Sequence, residues 1–140
     1  MWDAEVPAFV YDHILAKLRD RTAESIRAET GEGFDPEKCV ASPSAFRGKF
    51  WRVTGRIMRI WPEEVTGSAP PVPRIFAGIF FPDGGWPVYF HVIEKPDILE
   101  LRSDTVEIDG LFVKVIVHQA SSGRTVTTPF LIAKSMRRLL

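Results

Sequence analysis

The C-terminal two thirds of the chain alternates between apolar stretches of strand length and short runs of turn residues. In the first stretch, Trp51, Val53 and Ile57 alternate with polar residues, which indicates a strand that buries one face. The alternation slips after Ile57, and this slip predicts a β-bulge near Met58. The five predicted strands span residues 50–57, 74–81, 88–93, 106–118 and 125–133.

The connection between the third and fourth strands carries a short helical pattern rather than a simple turn. Asp97 stands at a good N-cap position, so we predict a short helix over residues 97–102. The order is therefore three strands, a short helix and two strands. This order resembles the OB-fold, a small, partly open Greek-key barrel. We predict a mainly β protein with a five-stranded OB-like Greek-key barrel.

An amphipathic helix is predicted before the barrel, over about residues 7–29. Pro7 suits the first turn of a helix, and Gly31 and Gly33 provide a stop. The helix must bury its apolar face against the barrel or against another protein, and we favour the barrel. That face carries Val10, Ile14, Leu18 and Ile26.

These elements fit one domain of 140 residues, which is long enough to bury a substantial core. Residues 1–32 would form the helical part, packed on an OB-like barrel of residues 46–134. The balance of 45% apolar and 26% charged residues is that of a globular protein. A single cysteine, Cys39, excludes an internal disulfide, so the fold depends on its core.

The charge of the chain bears on its partners. Eighteen basic and eighteen acidic residues cancel, and this neutrality disfavours nucleic acid as a partner, because phosphate binding favours an excess of basic residues. No apolar run approaches the roughly 20 residues that span a bilayer. Residues 1–5 lack the basic start and apolar stretch of a signal peptide. We expect a cytoplasmic protein, or a cell-envelope protein if the chain is an excised domain.

The resemblance to OB-fold modules covers roughly residues 46–134. Residues 46–56 resemble their opening strand, and residues 108–115 with 129–133 are similar to their last two strands. With its helix, the chain also resembles OB-like modules of larger bacterial envelope proteins, a resemblance that supplies no functional residue. The OB resemblance implies binding along strands two and three and at the loops of residues 62–73 and 120–124.

An aromatic and basic surface is the leading candidate for a ligand site, because rings stack on bases and arginines bind phosphates. Alternatively, Phe76 and Phe80 lie under the N-terminal helix, leaving Tyr89 and the arginines exposed. We favour this arrangement, because the apolar face of the helix and the second apolar face of the strand can be buried by packing against each other. The candidate residues on the second and third strands, and then on the first, are Phe76, Phe80, Tyr89, His91, Arg52 and Arg56.

Two tryptophans at loop ends, Trp61 and Trp86, are candidate anchors of a protein interface. Alternatively, they cap the open ends of the barrel.

Catalytic and metal-binding signatures are missing from the sequence. The three histidines, His13, His91 and His118, have no cysteine or histidine at ligand spacing, and Cys39 has no nearby histidine. We therefore expect no catalytic residue, no metal and no cofactor. The sequence favours a non-enzymatic OB-like binding or structural module that mediates protein contacts within a larger protein or assembly, with a protein partner or a second copy. The alternative is single-stranded nucleic-acid or oligosaccharide binding on the face of the second and third strands.

Overall fold

The structure, a computed structural model, describes residues 7–67, 69–83 and 85–140. The segment that lacks signal-peptide features, residues 1–5, and Gly84 of the predicted hairpin turn lie outside these residues. The described chain forms α1 (Ala8–Asp20), α2 (Ala23–Glu29), α3 (Pro36–Ala41), a 3₁₀ turn (Pro43–Ala45), β1 (Phe50–Glu64), β2 (Arg74–Phe81), β3 (Val88–Glu94), β4 (Thr105–Gln119) and β5 (Thr125–Leu139).

The five strands close into a barrel in the order β1-β2-β3-β5-β4, and β4 pairs with β1 to complete the ring. Neighbouring strands are antiparallel except β3 and β5, which run parallel. The predicted mainly β, five-stranded barrel with an N-terminal helix is confirmed.

The barrel interior is filled by apolar side chains that point inward from alternate positions of each strand. Two glycines let the backbones approach closely inside this small ring. A Cβ atom on Gly55 would lie 2.8 Å from the carbonyl carbon of Phe81, and one on Gly78 would lie 2.6 Å from Cζ of Phe90. The interior contains Val53, Ile57, Phe80, Phe90, Phe112 and Leu131.

The bulge expected near Met58 is confirmed. Ile57 pairs with Phe80 and Arg59 pairs with Ile79, so Met58 is the extra residue on β1. The faces of β1 therefore change over at this point.

The N-terminal helical region packs on the outside of the barrel but is not one helix. Arg21 has an extended backbone, and the hydroxyl of Thr22 accepts a hydrogen bond of 3.1 Å from the Ser25 amide, which starts α2. The expected single helix is therefore divided into α1 and α2, since Thr22 supplies an N-cap. Its buried side chains, Leu15, Leu18 and Ile26, join an outer cluster with Ala77, Phe130 and Ile132.

The expected helix over residues 97–102 is wrong, because the segment between β3 and β4 forms a turn at residues 101–103. The Arg102 amide donates to the Ile57 carbonyl at 2.7 Å, and the Ile57 amide donates to the Asp104 carbonyl at 3.0 Å. These bonds continue the pairing between β1 and β4 into the residues that precede β4. The connector is thus held along the barrel edge in a conformation that a helix cannot adopt.

Within the described residues, no helix has both the length and the apolar character needed to cross a bilayer.

Candidate binding cavity

The four candidate residues on β2 and β3 do not share one face, as the pairing of these strands shows. Tyr89 lies opposite Ile79 and His91 lies opposite Ala77, on the outside of the barrel. Phe80 lies opposite Val88 and is fully buried inside. The expected surface of four rings is therefore wrong. The alternative also fails, because His91 rather than Phe80 lies beneath α1.

Phe76 lies on the inner side of the same strand and is half-buried against the barrel core. The Arg74 guanidinium and the Lys95 ammonium each lie 5.4 Å from its ring centre. Phe76 faces the barrel interior and Tyr89 and His91 face the outside, so the rings do not form one surface.

The two candidate arginines both lie where β1 pairs with β4, but their surroundings differ. Arg52 lies where β1 pairs with β4, and its Nε donates to Asp109 at 3.0 Å. Burial alone would raise the pKa of Asp109, but hydrogen bonds from Arg137 and Arg52 hold that pKa below its usual value. Arg52 therefore belongs to a charge cluster that ties strands together. Arg56 is exposed and lies opposite Phe81, at the start of the β1–β2 pairing.

Both candidate tryptophans are half-buried and donate hydrogen bonds within the chain. The Trp61 indole lies 6.4 Å from the Tyr89 ring, nearly parallel to it, and donates to Glu63 at 2.9 Å. The Trp86 indole donates to the Thr127 carbonyl at 3.2 Å and so fastens the β2–β3 turn to β5. Their part in a protein interface stays a prediction.

A cavity of about 710 Å³ opens on the outside of β1, β2 and β3. Its floor contains a row of facing residues, because Arg59 pairs with Ile79 and Ile79 pairs with Tyr89. Side chains directly opposite one another across strands are neighbours on the same face. The apolar part of the lining consists of Met58, Ile79, Phe81, Pro87, Tyr89 and Ile116.

One wall of the cavity comes from the bulge of β1, and the opposite wall comes from β4 and β5. The bulge places Met58 and Arg59, which are neighbours in sequence, both on the cavity. On the other side, Ile116 of β4 pairs with Thr128 of β5, and both line the cavity. Arg102 reaches the edge from the β3–β4 connector. The polar lining is Arg59, Glu63, Arg102, His118 and Thr128.

The helix α1 covers the part of the outer face that adjoins the cavity. The Tyr11 hydroxyl lies 2.7 Å from Nδ1 of His91, and the Phe130 ring packs edge-on against His91 at 4.8 Å between centres. Burial lowers the pKa of His91 to about 4, so its imidazole is neutral at pH 7. The helix α1 therefore covers the outer face at His91, and the cavity begins at Tyr89, the next outward-facing residue of β3.

Charge in the cavity comes from two arginines and one glutamate. The Arg59 guanidinium lies 5.2 Å from the Trp61 ring centre, and Glu63 accepts the indole N–H of the same tryptophan. Burial raises the pKa of Tyr89 to about 12, so its phenol stays neutral. Within the described residues, neither Arg59 nor Arg102 forms an ion pair with a carboxylate.

Sequence reasoning missed most of this site. Of the eight predicted residues, Tyr89 alone lines the cavity, and Arg56 and Trp61 adjoin lining residues. The lining residues come from all five strands and from two connecting segments, and they form no motif. The one usable signal was the break in alternation at Met58, which marks the bulge.

In the described ranges, no group of three or more histidine, cysteine, aspartate or glutamate side chains is arranged to hold a metal ion. A comparison with models of known protein families finds no match, and a search of curated proteins finds no similar sequence.

Proposed function

We propose that this protein is a non-enzymatic, OB-like binding module whose cavity holds a segment of a protein partner within a larger protein or assembly. The observation that carries the proposal is the apolar cavity of about 710 Å³ on the outside of β1, β2 and β3. Ligand pockets typically have volumes of about 300–1,000 Å³ and a largely apolar lining. The cavity also lies on the strands along which the OB resemblance implies binding.

The character of the lining favours a protein segment over a nucleic acid. Base binding needs several exposed rings along a basic groove. Phe80 is inside the barrel and His91 is under α1, so Tyr89 is the one predicted stacking ring that lines the cavity. The net charge of zero supports the same choice. Aliphatic side chains such as Ile79 and Ile116 suit the apolar side chains of a peptide.

The polar residues of the cavity support a binding role rather than a hydrolytic one. His118 Nε2 and Thr128 Oγ1 are 3.4 Å apart, longer than a good hydrogen bond. Nucleophilic catalysis requires a close pair and a third group that orients the base.

The proposal is tested by selecting peptides from a random display library against the full chain. Ile79→Arg places a charge on the cavity floor, and Val117→Arg is the matched control at a side chain that is 60% exposed and does not line the cavity. We expect selected peptides to bind the wild type and Val117→Arg but not Ile79→Arg.

Circular dichroism and thermal unfolding check that both variants are folded. Failure to enrich any peptide, or equal binding to the Ile79→Arg variant, would contradict the proposal.

A further inference from the structure

Two positive side chains line the cavity from separate elements. Arg59 stands on the bulge of β1, and Arg102 stands on the connector between β3 and β4. Both side chains are exposed, and within residues 7–67, 69–83 and 85–140 neither forms an ion pair with a carboxylate. The fold therefore brings two available cations to the edge of an apolar surface.

The backbone at Arg102 fixes where this side chain leaves the chain. Its φ is 69°, in the left-handed region that glycine and asparagine adopt most readily. The hydrogen bond of 2.7 Å from its amide to Ile57 fastens the residue to β1, next to the bulge. Arg102 is thus held beside Met58 and Arg59.

Negative charge in the cavity does not cancel these cations. Among the described residues, Glu63 is the one acidic residue of the lining and stands against two arginines, so the lining keeps a net positive charge. Tyr89 is neutral, and the arginines remain charged at every physiological pH. An occupant that carries a carboxylate would therefore meet an excess of positive charge.

We infer that the bound segment is an apolar peptide with a carboxylate that reaches Arg59 and Arg102. This inference rests on the proposed function. Apolar side chains of the peptide lie over Ile79, Phe81 and Ile116, and the carboxylate forms charge-assisted hydrogen bonds with the arginines. The carboxylate is the side chain of a glutamate or aspartate, because a segment within a larger protein has no free C-terminus.

Short labelled peptides of leucine, phenylalanine and serine test this chemistry with the full chain. One set carries glutamate, a second glutamine and a third lysine at the same positions, and each is made with a free and with an amidated C-terminus. Fluorescence anisotropy measures their affinity at low and at high salt. We expect glutamate peptides to bind roughly tenfold to a hundredfold more tightly than glutamine peptides, whichever C-terminus they carry. A gain that follows the free C-terminus instead would overturn the inference.

The double substitution Arg59→Gln/Arg102→Gln should remove this preference while retaining the residual affinity of the neutral peptide. Arg74→Gln is the matched control, because Arg74 is also an arginine beside an aromatic ring but does not line the cavity. It should leave the preference unchanged. The preference should also weaken at high salt, because both arginines are exposed.

The outcomes separate the inference from the proposed function. If glutamate and glutamine peptides bind equally and Ile79→Arg abolishes both, the peptide-binding function stands and the inference is wrong. If no peptide binds, the proposed function fails. If a short oligothymidine binds more tightly than the glutamate peptide and loses affinity in the double variant, the arginines bind phosphate and the inference is overturned.

Discussion

Arg102 has a backbone conformation that disfavours its own side chain. A left-handed φ costs a residue with a Cβ atom roughly 1–2 kcal/mol, and glycine avoids this cost. We expect Arg102→Gly to raise the free energy of unfolding by about 1 kcal/mol relative to Arg102→Ala, measured by urea denaturation.

Both Arg102 variants lose the guanidinium, so both should bind a carboxylate peptide less tightly. The glycine variant would then be more stable than the alanine variant, while both would bind the peptide less tightly than the wild type. A glycine variant less stable than the alanine variant would show that the connector is not held in this conformation.

His91 makes the stability of the fold depend on pH. Its folded pKa of about 4 lies below the ordinary value of 6.5, so the unfolded chain binds the extra proton between these values. Above about pH 6.5 His91 has no effect on the free energy of unfolding, because it is neutral in both states. As the pH falls toward 4, this free energy decreases by at most about 3 kcal/mol. Urea denaturation at several pH values should show this slope, and His91→Gln should reduce it. An unchanged slope in the variant would mean that other groups cause it.

At the scale of elements, α1 should stabilise the barrel through its buried face alone. Leu15 is fully buried against the outer cluster, whereas Phe9 of the same helix is 74% exposed. We expect Leu15→Ala to cost about 2–5 kcal/mol of unfolding free energy and Phe9→Ala to change it by less than about 0.5 kcal/mol. Thermal and urea unfolding measure both. Equal, small effects would show that α1 does not pack on the barrel in solution.

The elements also show where a hydrophobic pattern stops being informative. Ile26 keeps the helical period set by Leu18, so periodicity alone predicts one continuous helix. The N-cap at Thr22 instead starts a second helix, α2. β2 is apolar on both faces, so alternation within it cannot choose which face is inside. Its pairing with β3, which sets Ile79 against Tyr89, makes that choice. The candidate surface failed because it needed this register.

Across the whole molecule, the number of strands could be predicted because each strand is bounded by turn residues. The cavity could not, because Arg59, Ile79, Arg102 and Ile116 meet only after the barrel closes. No local sequence pattern indicates that these four residues lie together. The alternation in β1 was informative up to the bulge, because Val53 and Ile57 both face the barrel interior there.

Closure of the barrel should depend on a glycine where β1 pairs with β2. A Cβ atom on Gly78 would collide with the backbone oxygen of Arg59 and with the buried Phe90 ring. We expect Gly78→Ala to cost about 3 kcal/mol of unfolding free energy, measured by urea denaturation. Gly31→Ala is the control, because its Cβ would meet Trp51 at an ordinary 3.5 Å, and it should cost less than about 0.5 kcal/mol. Similar costs for the two would show that β1 and β2 lie further apart.

The parallel pairing of β3 with β5 has a consequence for synthesis on the ribosome. Tyr89 meets its partner strand at Phe130, so four strands leave the exit tunnel before the edge of β3 can be covered. An uncovered strand edge is a template for pairing with other chains. Nascent chains whose β5 is still inside the tunnel should therefore be digested by protease or captured by chaperones. Chains carrying a C-terminal linker long enough to release β5 should resist both.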